Sequence, residues 1–216
     1  MKKLLLLSAI AVFGFSNVNA QEEGEKTFGF EKGNIIVEGG INFGSSTDDD
    51  GTVEEKNSSF NFMPKAGYFI NDKFAVGIEL GIGSGKNEIT TGGTSSEDKT
   101  SSFSGGVFAR YYFLDLGKRF KTYAEAGAGF GSSKLEQAGV TDELKTTGFN
   151  IGIDLGINYF VTECFAINFG LSDLLSFSSN NTEFGNAESD TTSFNGNLNI
   201  FNNFFDTAQF GLTYKF

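Results

Sequence analysis

From residue 35 onward the chain keeps returning to one rule, an apolar side chain at every second position with a small or polar one between. Phe74, Val76, Ile78, Leu80 and Ile82 alternate with Ala75, Gly77, Glu79, Gly81 and Gly83. Phe149, Ile151, Ile153, Leu155, Ile157 and Tyr159 alternate with Asn150, Gly152, Asp154, Gly156 and Asn158. A period of two belongs to β-strands whose two faces meet different surroundings. Helical periodicity is hard to find after residue 20, and a single proline suits a chain of strands.

Counting alternation predicts eight strands, at residues 34–44, 58–70, 74–84, 102–113, 120–133, 146–161, 165–177 and 206–216. Every apolar face lacks charge: Ile35, Val37, Ile41 and Phe43 on the first strand, Phe103, Val107, Ala109, Tyr111 and Phe113 on the fourth, for example. The polar face decides which side points inward. It is glycine-rich, and glycine weakens a strand facing water, whereas the crowded lumen of a narrow barrel needs small residues beside its few large ones. An apolar exterior follows, in segments long enough to cross a bilayer as strands. The fold class expected is all-β, an eight-stranded antiparallel up-and-down transmembrane barrel.

Connections alternate in length. Residues 71–73, 114–119 and 162–164 are short and are expected at the periplasmic end; residues 45–57, 85–101, 134–145 and 178–205 are long, hydrophilic and expected outside. Pro64 falls within a strand on its apolar face, where it cannot donate to the ladder, so a bulge or a missing bond is expected there. Residues 193–200 also alternate, which could extend the last hairpin beyond the membrane.

The first twenty residues have a basic start (Lys2, Lys3), an apolar run from Leu4 to Phe15 and the small-residue ending Val18-Asn19-Ala20, which reads as a cleaved signal peptide. Residues 21–33 then form a short periplasmic segment and residues 34–216 the barrel. Removal of the signal leaves 14 basic residues against 27 acidic ones, a net charge of about −13. That excess excludes a phosphate-binding footprint for nucleic acid. One cysteine, Cys164, permits no internal disulfide.

The inward face carries Glu38, Lys65, Glu79, Arg110, Glu125, Asp154 and Lys215, four acids and three bases. Charges taken out of water must be paired. A three-residue turn at 71–73 that sets Ile70 opposite Phe74 would put Lys65 opposite Glu79, and Arg110 should reach Glu125 across or diagonally. This cluster reads as a plug of salt bridges in a lumen about wide enough for its own side chains. A selectivity lining for a narrow pore is the alternative.

With its signal, even strand count, alternating turns and closing run Gln209-Phe210-Gly211-Leu212-Thr213-Tyr214-Lys215-Phe216, the chain resembles the small outer-membrane β-barrel family of OmpX and OmpA transmembrane type. The resemblance covers essentially all of the chain after the signal. It implies that the aromatic last strand is the recognition signal for the barrel-assembly machinery, which maps onto Phe210, Leu212, Tyr214 and Phe216. The absence of Trp departs from the family's aromatic girdle and leaves that role to Phe and Tyr.

Catalysis finds no footing. The sequence has no His and no Ser in a nucleophile-elbow context. No cofactor and no metal is expected: Asp48-Asp49-Asp50-Gly51 with Glu54-Glu55 lacks the alternate-ligand spacing of a calcium loop and reads as a solvated acidic loop. The function expected is that of a monomeric outer-membrane protein of a Gram-negative bacterium with a structural or surface-interaction role. Its expected partners are outer-membrane lipids and lipopolysaccharide, and the assembly machinery during biogenesis. The residues name no extracellular ligand. A soluble lipocalin-like barrel is the remaining alternative.

Overall fold

A computed structural model describes residues 27–197 and 209–216, with the side chains of residues 171–173, 209 and 210 excepted. The expected signal peptide, residues 21–26 of the expected periplasmic segment and the stretch 198–208 lie outside the described residues. Nine antiparallel strands follow in order: β1 (Ile35–Asp49), β2 (Val53–Asn71), β3 (Phe74–Thr91), β4 (Thr94–Leu116), β5 (Phe120–Glu136), β6 (Leu144–Phe160), β7 (Phe165–Phe184), β8 (Ala187–Gly196) and β9 (Gln209–Lys215).

Each of β1 to β7 pairs with the next, and β9 closes the ring by pairing with both β7 and β1. β8 takes the rest of β7: β9 covers Phe165 to Gly170, β8 covers Leu175 to Phe184. The ring therefore has eight staves. β7 reaches this arrangement through register irregularities opposite Ile153–Asp154 and Leu155–Gly156.

Strands overrun the sequence expectation at the outer end. The hydrophilic stretches 45–57 and 85–101 are largely ladder, the stretch from 178 holds the upper third of β7 and all of β8, and residues 137–143 between β5 and β6 remain a loop as expected. Polarity misled here, because Ser, Thr, Asn and paired Lys and Glu make sound strand surfaces when both faces meet water. The turn chemistry carried the correct message. Gly92 and Gly93 both have positive φ, 58° and 81°, the requirement of a two-residue hairpin turn between Thr91 and Thr94. The acidic run is likewise a turn rather than a loop. Asp49 accepts the Gly51 amide, and Asp50 accepts those of Thr52 and Val53, each at 2.8 Å.

At Pro64 the register does not slip. Phe62 opposes Ile82 and Lys65 opposes Glu79, with no ladder pair on the β3 side between them, so the missing bond occurs without the bulge. At the β2–β3 turn Asn71, not Ile70, opposes Phe74, and the irregularity between Phe69 and Asn71 absorbs Ile70 as an extra residue.

The outer surface is greasy across its middle. Phe43, Ile78, Val107 and Phe130 are 81, 57, 58 and 59 % exposed. On a soluble surface so continuous an apolar band would aggregate; in lipid it is the stabilising face. Phe60, Phe103, Phe130, Phe149 and Phe177 rim its upper edge, while Tyr68, Phe74, Tyr111, Tyr159 and Tyr214 rim the lower one, about 20–25 Å away by strand rise and tilt. Above the upper rim the strands continue as water-exposed hairpins.

Candidate functional site

The lumen closes in layers toward the end that holds both described chain ends. Uppermost, Lys65 on β2 faces Glu79 on β3 with Nζ 2.9 Å from Oε2, and the same amine contacts Glu125 Oε1. These two side chains keep water access, at 20 and 35 % exposure. One layer deeper, Arg110 is fully buried. Its Nη1 and Nη2 donate to the two oxygens of Glu38, each at 2.7 Å, and its Nε donates to Glu125 Oε2 at 2.7 Å. The guanidinium thus spends its planar fork on one carboxylate and its third direction on another, a geometry that an ammonium cannot copy.

Neutral groups complete the layer. Arg110 Nη1 donates to the Tyr112 hydroxyl (3.2 Å), Tyr112 to Asn158 Oδ1 (3.1 Å), Asn158 Nδ2 to Thr213 Oγ1 (2.9 Å), and Thr213 to Glu38 Oε1 (2.8 Å). The circuit runs through β4, β6, β9 and β1 and returns to the carboxylate that holds Arg110. A side branch joins it. Tyr123 donates to Asn168 Oδ1 (2.9 Å), and Asn168 Nδ2 donates to Glu38 Oε1 (3.3 Å). Donors and acceptors are aligned head to tail, so each bond polarises the next. Among the described residues no buried side-chain polar atom lacks a partner.

Rings fill the space that remains. The Arg110 guanidinium carbon lies 4.1 Å from the Tyr123 ring centroid, and Lys65 Nζ lies 4.6 Å from that of Phe108. Glycine makes this packing possible: a Cβ on Gly156, opposite Tyr123 in the ladder, would fall 2.2 Å from its ring.

Beneath the ions sits an apolar floor of Ile36, Phe69, Phe160 and Ala166. Phe30, from the segment before β1, enters it from below and stacks on Phe69 at 4.3 Å, with Tyr112 and Phe160 rings at 4.7 and 5.1 Å. The segment is pinned from several sides. Lys215 Nζ donates to the Gly29 carbonyl (2.9 Å), Gly33 N to the Phe69 carbonyl (2.8 Å), and Arg119 lies 4.6 Å over Phe28.

Of the residues chosen from sequence, the structure brings Glu38, Lys65, Glu79, Arg110 and Glu125 into one network. Asp154 stands next to Glu125 in the ladder, half-buried. Lys215 points instead to the N-terminal segment. Leu212 and Phe216 of the closing strand face outward, 54 and 60 % exposed, with Tyr214 half-buried against Phe216; the Phe210 side chain lies outside the described residues. Sequence reasoning does not single out Tyr112, Tyr123, Asn168, Thr213 or Phe30. The first four carried a signal, since each shares the inward parity of a residue already chosen on its own or a neighbouring strand. Phe30 carried none, because it precedes the alternation.

Outside the lipid band, Lys86 contacts Glu97 at 2.6 Å and Glu88 at 3.1 Å, and Lys99 contacts Glu97 at 2.9 Å. Bonds from Lys86 and then Lys99 hold the Glu97 carboxyl below its ordinary value, and the same glutamates raise Lys86.

A sequence model described as "Outer membrane protein beta-barrel domain" matches residues 8–216. Among curated proteins none matches the chain. Among solved structures, OprG of Pseudomonas aeruginosa is 15 % identical, with 87 % of this chain and 98 % of that one covered at a TM-score of 0.48. Ail of Yersinia pestis is 16 % identical over 86 % and 99 % at 0.41, and outer membrane protein W of E. coli is 16 % identical over 86 % and 99 % at 0.40.

Proposed function

Because the chain belongs to the outer membrane protein β-barrel family of Gram-negative envelopes, we propose that it works as a sealed barrel: a lipid-embedded wall that conducts nothing and carries its outer hairpins as a rigid, water-exposed platform for envelope contacts. The observation that carries this reading is the stacked closure of the lumen. Two bases bridge three carboxylates across it, a hydrogen-bonded circuit ties four strands to that bridge, and Phe30 stoppers the apolar layer below. A solute would have to break buried ion pairs, and breaking one partner of such a pair costs several kcal/mol, on the order of 3–5.

Above the closure the lumen is a cup. Asn42, Ser102 and Asn150 face it and are exposed, so water fills the upper half and stops at Lys65 and Glu79. Catalysis has no part in the reading. The protein works as a monomer, since the ring closes within one chain, and the outward residues Leu212, Tyr214 and Phe216 serve as the handle for the assembly machinery.

Liposome swelling tests the proposal. Vesicles carrying the folded protein should swell in a small sugar no faster than protein-free vesicles. Faster swelling would reverse the reading in favour of a narrow pore. Protein that stays monodisperse without detergent would favour the soluble barrel.

A further inference from the structure

Just above the upper aromatic rim, the outward-facing residues repeat one order from strand to strand. On β3 they run Ile82, Ser84, Lys86, Glu88. The same order, greasy residue, hydroxyl, lysine, glutamate, recurs in β2, β4 and β5, and in β6 with Glu143 just before the strand, placing Lys56, Lys99, Lys134 and Lys145 at the equivalent step. Each step spans two residues, about 6–7 Å of strand. On β1 and β7 the lysine step holds Thr47 and Asn181, with Asp190 of β8 opposite Asn181, so the basic belt covers five adjacent staves and is absent from β7, β8 and β1.

Stability alone does not account for this belt. Lys86 opposes Lys99 directly in the ladder, and Lys134 opposes Lys145. Like charges placed directly opposite destabilise a sheet. The glutamates offset that repulsion at Lys86, yet the lysine side chains at 86 and 99 remain 42 and 61 % exposed and open to a further anion. Beside them lies an open cavity of about 430 Å³, lined by Ser58, Phe60, Ser84, Lys86, Lys99 and Ser101 among others, with Glu136, the ladder partner of Lys99, also on its wall. Lysines and hydroxyls beside an aromatic ring suit a phosphate attached to something greasy.

The order of the layers selects the source of that phosphate. A soluble polyanion approaching from the aqueous side meets the glutamates first, on a chain of net charge −11. A phosphate anchored at the membrane surface comes from below and meets the hydroxyl and lysine steps without passing them. We propose that the lysine belt, centred on Lys86 and Lys99, docks the phosphate groups of the outer leaflet's glycolipid and so fixes the barrel's height and rotation in the leaflet. The proposal rests on the barrel reading above, with the long hairpins outside.

The test uses the folded protein in detergent, titrated by native mass spectrometry with bisphosphorylated lipid A, with lipid A stripped of its phosphates, and with inorganic phosphate. The phosphorylated lipid should bind at least about tenfold more tightly than the stripped one, and K86Q/K99Q should erase most of that difference. E88Q/E97Q should tighten binding, because it frees both lysines. K134Q/K145Q provides a second variant should the first fail to fold. Equal binding of both lipids, or an unchanged K86Q/K99Q or K134Q/K145Q, overturns the proposal; displacement by millimolar inorganic phosphate also overturns it, leaving a site for free anions. A wild-type protein that migrates identically boiled and unboiled would sink the barrel reading itself, whereas heat-modifiable protein blind to phosphorylation sinks only the docking.

Discussion

Arg110 on β4 and Glu38 on β1 stand three places apart in the ring and join across the lumen through two parallel bonds of 2.7 Å. No hairpin forces this contact. It exists because both side chains are long enough to meet at the axis, and because burial leaves each of them no better partner.

Replacing Arg110 by Met leaves Glu38 without a direct counter-charge and Glu125 with Lys65 alone, and should cost about 3–5 kcal/mol. R110K keeps the charge but loses the planar fork and should fall between. Urea titration followed by gel migration reads both, and R110M unfolding at the wild-type midpoint would refute the assigned role.

Gly156→Ala drives a methyl into the Tyr123 ring, whose hydroxyl is tethered to Asn168. The expected loss is about 1–3 kcal/mol, the usual cost of overpacking. The same titration measures it; a neutral result would mean that the ring can shift.

The closure has more than one layer, so no single truncation should open it. Phe30→Ala removes the stopper and should destabilise by about 3 kcal/mol, while the ion bridge above remains. Glu79→Ala removes only the uppermost carboxylate. Neither variant should conduct in planar bilayers, and steady single-channel steps from either would show that one layer is the whole seal.

Glu97 should titrate below 4.5, because bonds from Lys86 and Lys99 favour its ionised form over the opposing like charges of Glu88, across the ladder, and of Glu136, Asp142 and Glu143, which line the same surface pocket. A depressed folded value means that its contribution is complete above 4.5 and fades as pH falls through the lowered midpoint. Carboxyl-carbon NMR titration should show this, and K86Q should move the midpoint back up. A wild-type midpoint at or above 4.5 would contradict the pairing.

Much of this architecture was legible in the alternation. Phe74 to Ile82 against Ala75 to Gly83 specify a wall with lipid on one side, and parity alone puts Glu38, Lys65, Glu79, Arg110 and Glu125 on the inner face. Which of those meet is a matter of tilt and stagger, set by the whole ring rather than by any strand, so the Arg110–Glu38 bridge could not be read locally. The outer hairpins were missed for a different reason. Apolar alternation ends at Ile82 and Phe103, but the ladder is held onward by polar cross-strand pairs and by the Gly92-Gly93 turn. Phe30 escaped because a ring that plugs a barrel from outside the sheet leaves no periodic trace.

The account stands on which face of each strand meets lipid, and nitroxide accessibility along β3 tests that most directly. With Cys164 first replaced by Ser, labels placed one at a time from Val76 to Ile82 in the reconstituted protein should show oxygen collisions high and polar-nickel collisions low at 76, 78, 80 and 82. The residues between should be poorly accessible to oxygen. The opposite phase, with oxygen reaching Gly77, Glu79 and Gly81 instead, would turn the barrel inside out and end the account.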